Sequence, residues 1–309
     1  MNPANGLKPL TIEDRAQNAP YTVGAYLTLP PLSEIPEEHV VAVNDDWILN
    51  QAEYDAYDDR CAGAASSIAS GLLDNERTDP HFVWMMARTR AGYKIEDFGA
   101  TNKDIALAYV KIGPLKFADS PYSFKDSRDI VADVTKWDVK TLLPKAIEQR
   151  KSGKGLFWID ATQGYDAYDT WRAAITKLDK LYPGKKHTCV FGLLWAYDTV
   201  NIEKPVESGT GHDTLLLGWK GGKAVLLNSM GRYSGDNGRF FVSREVFNAW
   251  AEKFGAFILV DLPPEEIKYM MENSLQIDSG WFASITKPFL IAILELLRQL
   301  KAQIGSFVV

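Results

Sequence analysis

The segment between residues 211 and 238 constrains the fold of this chain more than any other. It starts with Gly211 and His212, continues as an apolar run to Trp219, turns at two consecutive glycines and reaches Asn228 after a second apolar run. Two apolar runs on either side of a glycine pair are typical of antiparallel strands joined by a tight turn. Pairing of these strands would bring His212, at the head of the first strand, close to Asn228, at the end of the second.

A cysteine far upstream supplies a third reactive group. Cys61 opens a run of alanine, glycine and serine residues up to Leu73, which predicts a helix that packs closely against its neighbours. A thiol attacks as its thiolate, and both a helix N-terminus and a neighbouring imidazolium favour that form. We expect Cys61 to be a nucleophile, His212 its base and Asn228 the group that orients the base. The other cysteine, Cys189, lies in a strand-like run and is predicted to be a buried, unreactive thiol.

Composition excludes several classes of function. The chain has 309 residues, 46% of them hydrophobic, and a formal net charge of −6, which argues against a nucleic-acid partner. Its two cysteines lie in no spacing suited to zinc, and no phosphate-binding loop is present, so we expect no metal and no cofactor. No apolar stretch reaches the roughly 18 residues that span a bilayer, and the opening residues lack the apolar core of a signal peptide. These absences favour a cytoplasmic or phage-associated protein without settling the compartment.

The pattern along the chain changes from helical to strand-like. Helices are predicted from residue 61, over 101–113, over 139–151 and from residue 169. Strands are predicted over 156–159, 188–196, 212–219, 223–227, 238–242 and 256–260, and a helix capped by Ser243 separates the last two. The acidic stretch 54–59 is predicted to be a solvated loop that caps the helix of Cys61. The order of elements indicates an α+β protein with two lobes.

The histidine and asparagine segments resemble those of papain-like cysteine peptidases (clan CA, family C1). The family pattern is roughly H-A-V-x-x-V-G-Y and then N-S-W-G-x-x-W-G-x-x-G-Y-F, where this chain has HDTLLLGW from His212 and NSMGRYSGDNGRF from Asn228. The interval of 16 residues between them and the order Cys, His, Asn also match. The resemblance implies a helical N-terminal lobe, an antiparallel β-sheet or barrel C-terminal lobe, and an active cleft between them.

The chain is predicted to have three parts. Residues 1–48, rich in proline, asparagine and acidic residues, are predicted to be an extended N-terminal arm with at most one strand, near residues 40–43. The resemblance implies a peptidase domain over residues 49–275, with a helical lobe over about 49–135 and a β lobe over about 136–262. Residues 276–309 are predicted to form a C-terminal amphipathic helix. That helix offers a packing face or an oligomer contact rather than a membrane anchor.

Two parts of the family pattern are changed here. The cysteine segment of the family is usually C-G-S-C-W-A-F, whereas residues 58–64 read DDRCAGA, so that only Cys61 is kept. The two tryptophans that follow the asparagine are Met230 and Ser234 in this chain. The first of them normally shields the His–Asn hydrogen bond from water, so Met230 itself would have to provide that shield.

The oxyanion donor is changed as well. The family's glutamine has Asp55 at its usual spacing, and an ionised carboxylate cannot donate a hydrogen bond. Gln51 is the substitute if the loop before Cys61 is about four residues longer than in the family. The backbone N–H of Cys61 would be the second donor.

The resemblance implies a cysteine peptidase that acts on peptide or protein substrates through an acyl-enzyme. Two other classes stay open. The changed cysteine segment allows a binding or structural protein that has kept the fold and lost catalysis. A transglutaminase-like or amide-cleaving enzyme is the other, although such enzymes usually orient their histidine with aspartate, which counts against it because Asn228 stands there.

Overall fold

The computed structural model describes residues 7–11, 13–14, 22–50, 59–123, 125–151, 154–196 and 198–262. By its contacts the chain forms one unit, Met1–Met270, which holds all of these residues, and a second, Met271–Val309, which lies outside them. The C-terminal helix predicted over 276–309 therefore falls outside the described residues. Within the described part, no helix combines the length and the apolar character that a membrane span requires.

Most helices of the described residues precede residue 152, and two more lie between strands later in the chain. In chain order they are α1 Val23–Tyr26, α2 Cys61–Asp74, α3 Pro80–Arg90, α4 Asn102–Lys111, α5 Arg128–Ala132, α6 Val139–Lys151, α7 Ala167–Leu181 and α8 Arg244–Phe254.

The strands of the described residues belong to a single sheet. Their bounds are β1 His39–Val40, β2 Lys154–Trp158, β3 Cys189–Trp195, β4 Asn201–Ile202, β5 Thr210–Lys220, β6 Lys223–Leu227, β7 Arg239–Val242 and β8 Ala256–Asp261. The order across the sheet is β2-β8-β3-β5-β6-β7-β4, and β1 pairs with β5 off this path. All pairs are antiparallel except that of β4 with β7, which is parallel.

The predicted α+β architecture is confirmed. Each of the six predicted strands is present, with ends that lie within two residues of the predicted ones. Helix α3, in contrast, was not predicted. Every residue of α3 from Pro80 to Arg88 is buried, so its sequence lacks the polar face that gives a surface helix its 3.6-residue period.

Helix α2 is the centre of the helical half. All of its residues from Cys61 to Leu73 are buried, and it packs against α3, α4 and strands β3, β5 and β8. Its small residues make this possible. A Cβ atom added to Gly63 would lie 2.1 Å from the carbonyl oxygen of Pro80, so α2 and the start of α3 approach each other more closely than any larger side chain allows.

The sheet half packs α7 and α8 on the middle strands. The ring of Phe247 on α8 stacks against Trp171 of α7 at 5.1 Å and against Phe191 of β3 at 5.0 Å, so aromatic area joins the three elements. The Ser243 hydroxyl accepts the Val246 N–H at 3.3 Å, which is the predicted cap of α8.

Residues 22–50 are an arm with short elements of its own. Helix α1 and strand β1 lie in it, and β1 pairs His39 with Trp219 and Val40 with Gly218 of β5. The indole N–H of Trp219 also donates to the carbonyl of Pro36 at 2.8 Å. The arm is therefore hydrogen-bonded to the same strand that carries His212.

The prediction that residues 54–59 form a solvated, capping loop is wrong at Asp59, and residues 51–58 lie outside the described residues. Asp59 is only 3% exposed, and its carboxylate accepts hydrogen bonds from Arg128 and from the Gly99 N–H. The N-cap position of α2 is Arg60, with no side-chain cap hydrogen bond. Burial is tolerated because arginines that are distant in sequence neutralise the carboxylate.

Candidate active site

The β5–β6 hairpin brings His212 and Asn228 together. Gly221 and Gly222 both have positive φ, of 55° and 75°, which gives the tight turn its backbone conformation. The Nε2 atom of His212 lies 2.7 Å from the Oδ1 atom of Asn228. The backbone N–H of Asn228 donates to the carbonyl of Gly238 at 2.9 Å, so the residue is held independently of its side chain.

This contact determines which ring nitrogen of His212 is available for chemistry. An amide oxygen only accepts, so Nε2 carries the proton and donates it to Asn228, and Nδ1 is left as the basic nitrogen. The two side chains are 6% and 1% exposed. Burial lowers the pKa of His212, and the hydrogen bond to Asn228 opposes that shift.

Trp195 packs against the ring of His212, a contact that was not predicted from the sequence. Its ring meets the His212 ring edge-on at 5.5 Å, and Phe240 packs edge-on against Trp195 at 4.9 Å. The expected shield was Met230, which is half-buried and whose backbone bridges to Asn50. The contact follows from the register of β3 against β5, in which Trp195 pairs with Thr210. Thr210 lies two residues before His212, so the side chains of all three residues lie on the same face of the sheet.

Cys61 is the first residue of α2, and it is 3% exposed. The N–H groups of a first helical turn have no partner within the helix, and the helix dipole favours negative charge there. Helix α2, which begins at Cys61, packs on β5, the strand that carries His212. Cys189 is fully buried in β3, where burial raises the pKa of its thiol well above the usual value, in line with the predicted inert role.

Gln51, the predicted oxyanion donor, lies outside the described residues, and its role stays a prediction. The residues just before it are described. Asn50 forms an antiparallel bridge with Met230, and the carbonyl of Leu49 accepts the Gly231 N–H at 3.0 Å. The chain that leads to Gln51 therefore runs beside the turn that follows Asn228.

A peptide segment of the chain itself lies next to His212. The Leu7 N–H donates to the carbonyl of Gly211 at 2.9 Å, and the Lys8 N–H donates to the carbonyl of Ala100 at 3.2 Å. A Cβ atom on Gly211 would lie 2.0 Å from the Leu7 carbonyl oxygen, so only glycine permits this approach. Backbone acceptors from the sheet half and the helical half thus bind one extended segment beside the base candidate.

Asp213 follows His212 in β5, so its side chain points to the opposite face of the strand. It is fully buried near Asn102, whose amide donates to the carbonyls of Phe254 at 3.3 Å and Gly255 at 3.1 Å. Burial raises the pKa of Asp213 to about 8, and neither carboxyl oxygen has a hydrogen-bond partner among the described residues. The carboxyl is therefore mainly neutral at pH 7 and adds little charge beside His212. In the described part of the chain, no three His, Cys, Asp or Glu side chains are arranged to hold a metal ion.

Comparison with solved structures identifies this architecture. Xylellain, a cysteine protease from Xylella fastidiosa, matches with a TM-score of 0.62 and 15% sequence identity, over 84% of this chain and 97% of that chain. This chain has the papain-like fold. Digestive procathepsin L 3 of Tenebrio molitor larval midgut matches with a TM-score of 0.50 and 13% identity, over 84% of this chain and 77% of that one.

Sequence comparison adds no relative to these. No protein-family model matches the chain, and no curated protein matches it. At identities of 13–15% the likeness is one of fold, so the papain-like fold is what these neighbours show. The chemistry of this chain has to be argued from its own residues.

Proposed function

We propose that this chain is a papain-like cysteine peptidase, which hydrolyses peptide bonds with Cys61, His212 and Asn228. The observation that supports it most directly is the 2.7 Å hydrogen bond between His212 Nε2 and Asn228 Oδ1. It orients an imidazole on the strand against which the helix of Cys61 packs. Nucleophile, base and orienting group are the three parts that acyl transfer by a thiol requires.

The reaction would start with transfer of the Cys61 thiol proton to Nδ1 of His212. The thiolate sulfur then attacks the carbonyl carbon of the scissile bond, and the carbonyl electron pair moves onto oxygen. The backbone N–H of Cys61 and the side chain of Gln51 are the proposed donors to that oxyanion. When the oxyanion collapses, the C–N bond breaks and the leaving amine takes the proton from His212, which leaves an acyl-enzyme on Cys61.

Hydrolysis of the acyl-enzyme repeats these steps with water. His212 Nδ1 takes a proton from a water molecule, whose oxygen attacks the acyl carbon. The C–S bond then breaks, the carboxylic product leaves and the thiolate regains its imidazolium partner. Because burial disfavours an imidazolium alone, the charged His212 depends on the opposite charge of the thiolate, and a neutral orienting group such as Asn228 suits that pair.

Thiol labelling tests this proposal, with Cys189 as an internal control. Folded protein would be treated with limiting iodoacetamide, and the adduct would be mapped by mass spectrometry. We expect alkylation of Cys61 and none of Cys189, which is fully buried. We also expect hydrolysis of a fluorogenic peptide that Cys61→Ala and His212→Ala both abolish. Labelling of Cys189 in preference to Cys61, or of neither cysteine, would sink the proposal.

A peptide-binding protein without catalysis is the second candidate. It is supported by the two hydrogen bonds that the backbone of Leu7 and Lys8 donates to the carbonyls of Gly211 and Ala100, because an uncleaved segment of the chain occupies these acceptors. The rate of Cys61 alkylation as a function of pH separates the two. A thiol that titrates near the free value of about 8.5 supports the binding protein, whereas a thiolate that persists well below this value supports the peptidase.

A further inference from the structure

A buried ion cluster lies directly before the helix that carries Cys61. On the carboxylate of Asp59, Oδ1 accepts from Arg128 Nε at 3.0 Å and Oδ2 from Arg128 Nη2 at 3.4 Å. The Gly99 N–H donates to Oδ2 as well, and Nη1 of Arg88 lies 3.8 Å from it. Both arginines are themselves buried, so one buried carboxylate is the counter-ion of two buried cations.

The two arginines also hold the backbone of the loop formed by residues 94–99. Arg88 donates to the carbonyls of Gly99 at 2.6 Å and Lys94 at 2.8 Å. Arg128 donates to the carbonyls of Ile95 and Asp97. A guanidinium has five N–H donors in a rigid fork, so Arg128 donates to the carboxylate and to the loop carbonyls at the same time, whereas Arg88 donates to the loop carbonyls and is only ion-paired with Asp59.

The cluster connects two places that peptide hydrolysis needs in fixed relation. Asp59 precedes Cys61 by two residues, and Gly99 is followed by Ala100, whose carbonyl binds the Lys8 N–H. Both cysteines are free, so no disulfide holds these two segments together. A buried ion pair contributes little net stability, but its hydrogen bonds specify one geometry.

We propose that Asp59, with Arg128 and Arg88, is a positioning residue of the peptidase, an inference that rests on the function proposed above. The cluster holds the start of α2, and hence the Cys61 sulfur, in register with the Gly99–Ala100 backbone that binds peptide. The role proposed for the three side chains is one of position and not of direct participation in the reaction. They act through Cys61 and through Ala100.

The test replaces the forked guanidinium group of Arg128 by the single ammonium group of lysine. Arg128→Lys keeps the charge, but a lysine cannot donate to Asp59 and to the carbonyls of Ile95 and Asp97 at once. The matched control is Arg244→Lys, in the sheet half, where Arg244 forks onto Asp166 and Asp169 at 2.6 and 2.5 Å. Both variants and the wild type would be compared in kcat, KM, Cys61 alkylation rate and thermal unfolding.

We expect Arg128→Lys to lower kcat/KM by about tenfold to a hundredfold and to slow Cys61 alkylation, at a temperature where the protein is folded. Arg244→Lys should keep kcat/KM and the Cys61 alkylation rate within about twofold of the wild type, even if its melting temperature is lower. Arg88→Lys is the milder second variant, because it leaves the Asp59–Arg128 pair in place, and it replaces Arg128→Lys if that variant does not fold.

Two outcomes distinguish a failure of the positioning role from a failure of the proposed function. If the folded lysine variants keep the wild-type kcat, KM and alkylation rate while their melting temperatures fall, the cluster only stabilises the protein and the inference is wrong. If the wild type itself shows no hydrolysis and an unreactive Cys61, the proposed function fails instead. The wild-type control in the same experiment distinguishes these outcomes.

Discussion

Asp213 stands next to His212 in sequence, yet at neutral pH it adds little charge there. Its carboxyl is fully buried against Asn102, and burial raises its pKa to about 8 from an ordinary value of 3.8. The side chain faces away from the His212–Asn228 pair across the thickness of the strand. A buried carboxyl of this kind costs stability whenever the pH forces it to ionise.

Asp213→Asn is expected to stabilise the protein at alkaline pH. Between pH about 4 and 8 the folded chain keeps a proton on Asp213 that the unfolded chain has lost, so stability falls as the pH rises through this window. Asparagine removes that dependence. The melting temperature of the variant should exceed that of the wild type by more at pH 8 than at pH 5. Glu252→Gln, at an exposed position of α8, is the control. If the difference in melting temperature between Asp213→Asn and the wild type is the same at pH 5 and pH 8, the raised pKa of Asp213 is contradicted.

Trp195→Ala is expected to reduce kcat by about fivefold to tenfold, because water would then compete for the His212–Asn228 hydrogen bond, and such a bond contributes about 1 kcal/mol. Trp195→Phe keeps a ring against His212 and should lose less. NMR exchange of the His212 Nε2 proton measures the cause directly. If that proton stays protected in Trp195→Ala and kcat is unchanged, Trp195 is not the shield.

Strand β5 is the element on which these groups converge. It carries His212 and Asp213, pairs with β3, β6 and the arm strand β1, and receives Leu7 at Gly211. The side chain of Leu7 is 5% exposed, and its Cδ2 lies 2.3 Å from where a Cβ on Gly192 of β3 would stand. The segment that contains Leu7 therefore fits a gap that glycines on two neighbouring strands leave.

Leu7→Asp is expected to raise kcat/KM for a short peptide. A charge at this buried site disfavours the bound segment and frees the carbonyls of Gly211 and Ala100 for substrate. The gain should be about tenfold for each 1.4 kcal/mol of segment binding that the change removes. Leu32→Asp, at a position that is 48% exposed, is the matched control. Unchanged kinetics in a variant whose segment becomes accessible to proteases would show that the segment does not compete with substrate.

The elements show how far the sequence alone leads. The predicted bounds of β6 and α6 match the structure, because glycine turns and a clear helical period delimit them. The His212–Asn228 contact was accessible to sequence reasoning because both residues belong to one hairpin. The Asp59–Arg128 pair was not, since its partners lie 69 residues apart and only tertiary packing brings them together. The position of Trp195 requires a strand register, which sequence patterns do not specify.

At the scale of the whole molecule, two buried carboxyls of the described residues have a raised pKa and contribute to the pH dependence of stability. Burial raises the pKa of Asp79, the N-cap of α3, to about 7, and that of Asp213 to about 8. The histidines whose pKa is lowered by burial, His39, His81 and His212, lose their proton in the unfolded chain near pH 6.5. Above that pH their contribution no longer changes, and the carboxyls dominate.

We therefore expect the melting temperature to fall between pH 6.5 and 8. Each carboxyl lowers the free energy of unfolding by at most about 1.4 kcal/mol per pH unit in this range. Asp213→Asn should remove the larger part of this decrease in melting temperature. Asp79→Asn should remove much of the remaining decrease, and its amide oxygen can still accept the Phe82 N–H that caps α3. Calorimetry across this range provides the measurement. A melting temperature that stays level or rises would contradict the two raised pKa values.

The hairpin of β5 and β6 has a consequence for the protein while it is being made. The thiol of Cys61 leaves the ribosome long before His212 and Asn228, which are only 16 residues apart and come together as soon as their hairpin closes. Strand β8, which completes the sheet beside β3, is made later still. In the proposed triad, a growing chain therefore carries a thiol without its base for about half of its synthesis, from residue 61 to residue 212 of 309. The order of the segments therefore delays the assembly of the proposed triad until most of the chain has been made.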